Sequence, residues 1–341
     1  MTEIINIPPK SIYKKSSKKV FFSYPENQTQ FLVGYYGVSP NASIIGTLHL
    51  RFPSSNPLLA TKIDLNFKGY EKVKWTENKG ESTATYRAIG TFVSKLFQIW
   101  KTSDPNGDFE EIQDLDIPFK INLPEVLPPT IEIDNGRGKI RYELIVNIKR
   151  KGNLWKLEGS EKSVVLSINF NKYALFPINL QPFNWSQLNN HIAKSRGLGY
   201  NITLENSIGG PNMPFIINLI LNFHKQDFII SKISFGIKEY HTLIAPMNSR
   251  NSSFYLVEKD IKGSELLLYD GIVNTQAKLE IDKNNKKLCW TISDGRHIVV
   301  SHKIKIKIHC GRILTSNIKL ETGVQIKNIL LEDNELPAYS L

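Results

Sequence analysis

The chain has 341 residues, which is too long for one ordinary core and suits about two domains. Hydrophobic residues make up 41% and charged residues 22%, a balance typical of a soluble globular protein that folds by itself. Lysine and arginine outnumber the acidic residues by 43 to 32, and this net charge of +11 favours an acidic partner, although the thin spread of the charge is also explained by solubility alone.

The N-terminal residues and the cysteine content favour a cytoplasmic location. MTEIINIPPK lacks the basic start and apolar run of a signal peptide. Only Cys289 and Cys310 occur, which argues against a disulfide scaffold. The longest apolar stretch, 215–223, is about half as long as a segment that crosses a bilayer.

Residues 1–19 are basic and rich in serine, and they predict a disordered leader.

Alternation of apolar and polar residues with a period of two predicts β-strands along most of the chain. In KIDLNFKGY, Ile63, Leu65 and Phe67 point to one side, whereas the lysines point to the other. The same pattern recurs in 138–150, 163–170, 217–223 and 301–310. Turn sequences such as DNGRG at 134–138 separate the strands, so the fold class is all-β and built of antiparallel sandwiches.

Two stretches are ambiguous. Residues 83–100 have apolar residues at both helical and strand spacings; a strand is predicted near 93–100, and the rest is left open. Residues 183–201 lack alternation and separate two alternating halves. The predicted division is a leader at 1–19, an N-terminal sandwich at 20–182, a linker at 183–200, a C-terminal sandwich at 201–332 and a tail at 333–341.

No sequence motif indicates a catalytic, cofactor or metal site. The seven histidines show no metal-ligand spacing, and the cysteines form no CxxC pair. The phosphate-binding glycine loops and the GxSxG elbow are also missing. His302 lies on the apolar face of its strand and is predicted to be a hydrogen-bonded core residue. We therefore expect a protein that is not an enzyme and has no cofactor and no metal.

A family resemblance rests on residues 116–152, DIPFKINLPEVLPPTIEIDNGRGKIRYELIVNIKRKG. Prolines stiffen an extended segment there and deliver the chain, through a tight turn, into a long strand. Upstream, 44–52 and 61–75 look like paired early strands, the second ending in Gly69-Tyr70-Glu71 and Trp75.

Downstream, 227–244 and 299–308 complete the pattern. Together these segments resemble the arrestin family, most closely the α-arrestins, over roughly residues 20–330. The resemblance implies two immunoglobulin-like β-sandwich domains in tandem.

The resemblance also implies a function. α-Arrestins are non-enzymatic cytosolic adaptors that bind a transmembrane transporter or receptor as cargo. They recruit WW-domain (HECT-type) ubiquitin ligases through PPxY or LPxY motifs and thereby promote ubiquitination, endocytosis and sorting at the plasma membrane or endosomes. Leu336, Pro337, Ala338 and Tyr339 match LPxY just past the last predicted strand, 324–331. A four-residue motif also arises by chance, so a frayed strand end is the alternative.

Two other functions stay open at this stage. One is a trafficking scaffold on the same fold, like the arrestin-shaped retromer subunit, which would not depend on Tyr339. The other is a β-sandwich that binds or hydrolyses carbohydrate, which would require a cleft with exposed tryptophan and paired carboxylates.

Lysines suggest a contact with an anionic membrane or with phosphates. Lys303, Lys305 and Lys307 share one face of a strand. The leader adds Lys14, Lys15, Lys18 and Lys19. Alternatively, the three lysines on the strand only keep its outer face in solvent and prevent the sheet edge from pairing with another chain. Nucleic acid is not an expected partner, because the aromatic residues occupy predicted core faces.

Overall fold

The structure is a computed structural model that describes residues 11–14, 18–25, 30–32, 43–124, 127–152, 159–175, 182–184, 198–223, 229–311 and 317–330. Strands dominate these residues, and they build several antiparallel sheets. The predicted all-β class is thereby confirmed. Within the described residues, no helix has the length and apolar character needed to cross a bilayer.

The strands are numbered in chain order. The first twelve are β1 (Ser11–Lys14), β2 (Val20–Pro25), β3 (Gln30–Leu32), β4 (Ser43–Arg51), β5 (Leu58–Lys79), β6 (Ser82–Lys101), β7 (Glu110–Ile112), β8 (Asp114–Asn122), β9 (Ile131–Ile133), β10 (Gly138–Arg150), β11 (Glu161–Ile168) and β12 (Asn171–Leu175). The others are β13 (Phe183–Asn184), β14 (Leu198–Leu204), β15 (Ile208–Gly209), β16 (Phe215–Phe223), β17 (Ile230–Ala245), β18 (Asn248–Lys262), β19 (Leu268–Tyr269), β20 (Ile272–Leu279), β21 (Ile298–Cys310), β22 (Ile318–Ile326) and β23 (Ile329–Leu330). A 3-10 turn, Gly263–Glu265, follows β18.

Two sheets supply most of the first hydrophobic core. One has the order β1-β2-β4-β8, and the other has the order β11-β10-β5-β6. The alternation predicted for β5 and β10 is confirmed, because Ile63, Leu65, Tyr142 and Val146 are all fully buried. The Tyr142 hydroxyl donates a hydrogen bond of 2.5 Å to the Pro128 carbonyl, which ties the proline-rich segment to this core.

β5 and β6 form a long hairpin that resolves the ambiguous stretch at 83–100. The predicted strand at 93–100 is present, and it extends back to Ser82 as β6. Gly80, with φ at +65°, allows the turn between the two strands. A register shift opposite Gly69 and Tyr70 leaves Phe92 without a cross-strand partner, so the inward positions of β6 change from even-numbered to odd-numbered residues there.

The second core lies between two other sheets, ordered β13-β14-β16-β20-β19 and β15-β22-β21-β17-β18. The apolar positions predicted for β16 and β21 again point inward, with Leu219, Leu221, Ile304 and Ile306 buried. The first core also includes later residues, from the end of β17 and from the segment around the start of β21. Strands β17 and β21 therefore contribute residues to both cores.

A small parallel sheet connects distant parts of the chain, with β12 between β3 and β23. This pairing brings the residues before β23 next to β12. It therefore places residues near 172 beside residues near 327.

Two sequence expectations about irregular segments are wrong in part. Residues 11–14 of the predicted disordered leader form β1, which pairs with β2. Backbone hydrogen bonding can hold such an edge strand even where the sequence is poor in apolar residues. The predicted linker at 183–200 carries strands at both ends, because Phe183–Asn184 is β13 and β14 begins at Leu198.

Candidate functional site

The predicted lysine row on β21 is partly neutralised by a neighbouring strand. Lys303 and Lys305 each donate to a different carboxylate oxygen of Glu321 at 2.5 Å. These hydrogen bonds lower the pKa of Glu321 to about 2. Both ammonium groups also lie within 6 Å of the Tyr240 ring centre, at 5.8 and 5.6 Å. The row therefore presents less positive charge than its sequence suggests, with only Lys307 outside this cluster.

The other predicted site residues are only partly within the described structure. Lys18 is exposed, and the Lys19 ammonium lies 5.3 Å from the Phe52 ring centre. Lys14 belongs to β1. Lys15 and the four residues of the LPxY motif, Leu336, Pro337, Ala338 and Tyr339, lie outside the described residues.

A cavity of about 750 Å³ lies where the two cores meet, and we call it the cleft. The first core contributes β5, β6 and the proline segment, the second contributes the end of β22, and the loop 290–296 closes one side. The polar, charged and aromatic residues of its lining include Glu71, Phe92, Lys172, Trp290, Asp294, Arg296, Gln325, Lys327 and Asn328. The volume falls within the range of about 300–1,000 Å³ that is typical of small-molecule sites.

Glu71 links β5 to the backbone at the start of β21, at the edge of the cleft. It occupies a core-facing position of β5 and is only 5% exposed. One carboxylate oxygen accepts the Arg296 backbone N–H at 3.0 Å, and the other accepts the Ile298 N–H at 3.1 Å. Gly90 pairs with Glu71 across the hairpin, and a Cβ at Gly90 would lie 2.9 Å from the His297 ring. The absence of a side chain at Gly90 therefore permits this close approach.

A second polar link holds the same junction from the turn before β10. Asp134 accepts a hydrogen bond from the Arg250 guanidinium at 2.9 Å. Asn248 donates its amide N–H to Glu77 at 3.2 Å. Together with the Glu71 contacts, these bonds connect β5 and the turn before β10 to the start of β18 and the start of β21.

Lys172 and Lys327 line the cleft and are half-buried. Burial lowers the pKa of both ammonium groups, and the charge of Lys327 lowers that of Lys172 further. Neither ammonium group has a hydrogen-bond or ion-pair partner among the residues that the structure describes. Asp294, which is exposed, offsets only part of this charge.

A separate buried polar cluster surrounds Glu239, which is fully buried on β17. His241 donates its Nε2–H at 2.5 Å and His302 donates at 3.0 Å to the two carboxylate oxygens. The Cys289 backbone N–H adds a third bond, of 3.1 Å. The Thr291 hydroxyl lies 2.9 Å from the other nitrogen of His302. His302 is thus a hydrogen-bonded core histidine, as its strand position predicts.

This cluster is the group of described residues with the geometry closest to a metal site. The ligating atoms of Glu239, His241 and Cys289 all lie within 4.8 Å of one another. Burial raises the pKa of the Cys289 thiol, and the Glu239 charge raises it further, so the thiol holds its proton. Because both carboxylate oxygens already accept hydrogen bonds, the cluster is complete as a polar network.

The chemistry available in the cleft favours binding. Two carboxylates, Glu71 and Asp294, line it. Glu71 is committed to two backbone N–H groups, so it does not serve as the second member of an acid and base pair.

Sequence reasoning missed Glu71, Glu239, Lys172 and Lys327 as candidate site residues. A signal was present for the two glutamates, because each occupies an apolar phase of its strand and a charged residue there must find partners. No comparable signal marks the lysines, which meet only through the parallel sheet.

No family model matches this sequence, and no curated protein matches it significantly.

Proposed function

We propose that the protein is a non-enzymatic adaptor of the arrestin type. In this proposal, two immunoglobulin-like β-sandwich domains in tandem bind a transmembrane transporter or receptor. The segment Leu336-Pro337-Ala338-Tyr339 recruits a WW-domain ubiquitin ligase of the HECT type, which modifies the bound cargo. The protein works in the cytoplasm and on the plasma membrane or endosomes.

The observation that carries the proposal is the contact between β5 and the start of β21, a strand that contributes residues to both cores. Glu71 accepts hydrogen bonds from two backbone N–H groups in this contact. Without this buried acceptor both donors would lack a partner, so the contact resists separation of β5 from β21. An adaptor benefits from such a joint, because a cargo held by one core and a ligase recruited next to the other keep a limited range of orientations.

The first sheet also offers a surface that suits a protein partner. β6 is an edge strand, and its Ile89 and Leu96 are 62% and 63% exposed. Exposed edges with apolar residues are common sites for binding an extended segment of another chain.

The ligase contact follows from the chemistry of the motif. Pro337 favours a polyproline II conformation that has little entropy left to lose on binding. The proline ring fits the aromatic groove of a WW domain, and Tyr339 fits the adjoining pocket.

The test is capture of the full chain by an array of purified WW domains. We expect wild type to bind and Tyr339→Ala to lose binding, whereas the neighbouring Ser340→Ala serves as the matched control and binds normally. Proximity labelling in cells with the same three proteins would then report ligase and cargo together.

Equal capture of wild type and Tyr339→Ala would contradict ligase recruitment through this motif. If the labelled proteins were then coat components in both cases, the trafficking scaffold would be the better assignment.

A further inference from the structure

Lys172 and Lys327 are brought together by backbone pairing and not by chance contact of flexible side chains. In the parallel sheet, Ala174 pairs with Ile329, and each lysine lies two residues before its member of this pair. The Ala174 N–H donates to the Asn328 carbonyl at 2.8 Å, which fixes this end of the sheet. The two side chains therefore enter the same cavity from adjacent strands.

The electrostatic state of this pair is unfavourable without a ligand. Two like charges are partly withdrawn from water, and among the described residues neither ammonium group forms a hydrogen bond or an ion pair. The exposed Asp294 offsets only part of the charge on Lys172. Lys232, which is half-buried as well, donates by contrast to Asp260 at 2.6 Å. A lysine pair that is held in a cavity without such a partner is a site for an anion.

We propose that the cleft binds a small phosphorylated ligand whose phosphate group lies between Lys172 and Lys327. A phosphate monoester carries close to two negative charges at neutral pH and so compensates both ammonium groups, which a single carboxylate does not. Its oxygens accept several charge-assisted hydrogen bonds at once.

The remaining lining suits the rest of such a ligand. Gln325 and Asn328 offer amide groups beside the lysines, and Trp290 and Phe92 offer flat apolar walls. A cavity of about 750 Å³ accommodates a phosphate ester of the size of a sugar phosphate. This site does not involve the LPxY motif and stands or falls independently of ligase recruitment.

The two carboxylates of the cleft do not prevent anion binding. Glu71 directs its charge at two backbone N–H groups. Asp294 is exposed, so water screens its repulsion. Arg296 adds a third cationic side chain to the lining.

The experiment is isothermal titration calorimetry of the full chain with inorganic pyrophosphate and with glucose 6-phosphate, alongside a vesicle-binding assay with phosphatidylinositol 4-phosphate. The variants are Lys172→Met and Lys327→Met, with Lys303→Met as the matched control on the outer face. Because the two cleft substitutions remove unpaired charges, they should fold, and thermal denaturation checks this.

We expect at least one phosphorylated probe to bind, with Kd raised about tenfold or more by either cleft substitution and unchanged by Lys303→Met. Binding of soluble probes identifies a free phosphate ester as the ligand, and binding of vesicles alone identifies a lipid headgroup. The proposal is overturned if no probe binds at millimolar concentration, or if Lys303→Met weakens binding as much as the cleft variants do.

Discussion

The Glu239 cluster and the cleft lysines contrast two ways of withdrawing charge from water. Glu239 is fully buried, and its carboxylate accepts three hydrogen bonds. Lys172 and Lys327 are half-buried, and neither ammonium group has a hydrogen-bond or ion-pair partner among the described residues. A buried charge whose hydrogen bonds are all made stabilises the fold. A pair of like charges in a cavity, without hydrogen-bond partners, indicates a binding site.

The largest expected effect comes from Glu239→Ala. This change leaves three buried donors without an acceptor, so the free energy of unfolding should fall by about 3–5 kcal/mol. Urea denaturation at neutral pH measures it. Glu321→Ala, which removes an exposed carboxylate, should cost about 0–1 kcal/mol in the same assay. Equal losses for the two variants would show that the cluster contributes nothing beyond surface charge.

Glu71→Ala should have the next largest effect. Two backbone N–H groups at the start of β21 lose their acceptor, which should cost about 1–3 kcal/mol. Urea denaturation measures this loss. Unchanged stability would mean that other contacts hold β5 to the start of β21.

Lowering the pH should protonate the Glu239 carboxylate and thereby reduce the free energy of unfolding. Burial alone would raise its pKa, but hydrogen bonds from His241, His302 and the Cys289 N–H lower it below its usual value of 4.5. Its folded-state pKa is therefore below the unfolded one, so its contribution is present above about pH 4.5 and is lost as the pH falls through the lowered value.

Unfolding free energies measured from pH 7 to pH 3 should therefore decline less steeply in Glu239→Gln than in wild type. Both proteins carry the same histidines, so the difference between the curves isolates the carboxyl group. Parallel curves would exclude a contribution from Glu239.

Lys327→Met should raise the free energy of unfolding, whereas the substitutions above lower it. Because burial lowers the pKa of Lys327, its charge disfavours folding at pH 7, and its removal should stabilise the protein by about 0.5 kcal/mol after allowance for solvent screening. The advantage should shrink as the pH rises toward 10.5, where the wild-type ammonium loses its proton in the unfolded chain too. Destabilisation by this substitution would point to a partner for Lys327.

Lys303→Ala should have the smallest effect. Its ammonium shares Glu321 with Lys305 on a solvent-exposed face, so the loss should be about 0.3 kcal/mol and should vanish at high salt. Thermal denaturation at low and high salt checks this. A larger loss that persists in salt would reveal packing of the lysine stem.

Sequence reasoning succeeded for strands and failed for contacts between them. The period of two correctly assigned Ile63, Leu65 and Phe67 to the core, because side-chain direction along a strand is a local property of the extended backbone. The lysine row on β21 was also located correctly. Its neutralisation by Glu321 was not foreseen, because that carboxylate lies on the neighbouring strand.

The sequence by itself determined the all-β class and the inward positions of its strands, since both follow from alternation within short segments. It also contained the polar residues of the core, because Glu239 and His241 lie in phase with apolar neighbours. Only the tertiary structure decided that Glu71 meets the backbone at Arg296 and that Lys172 meets Lys327. The physical reason is that such meetings depend on strand order and register between remote segments, which no local pattern encodes.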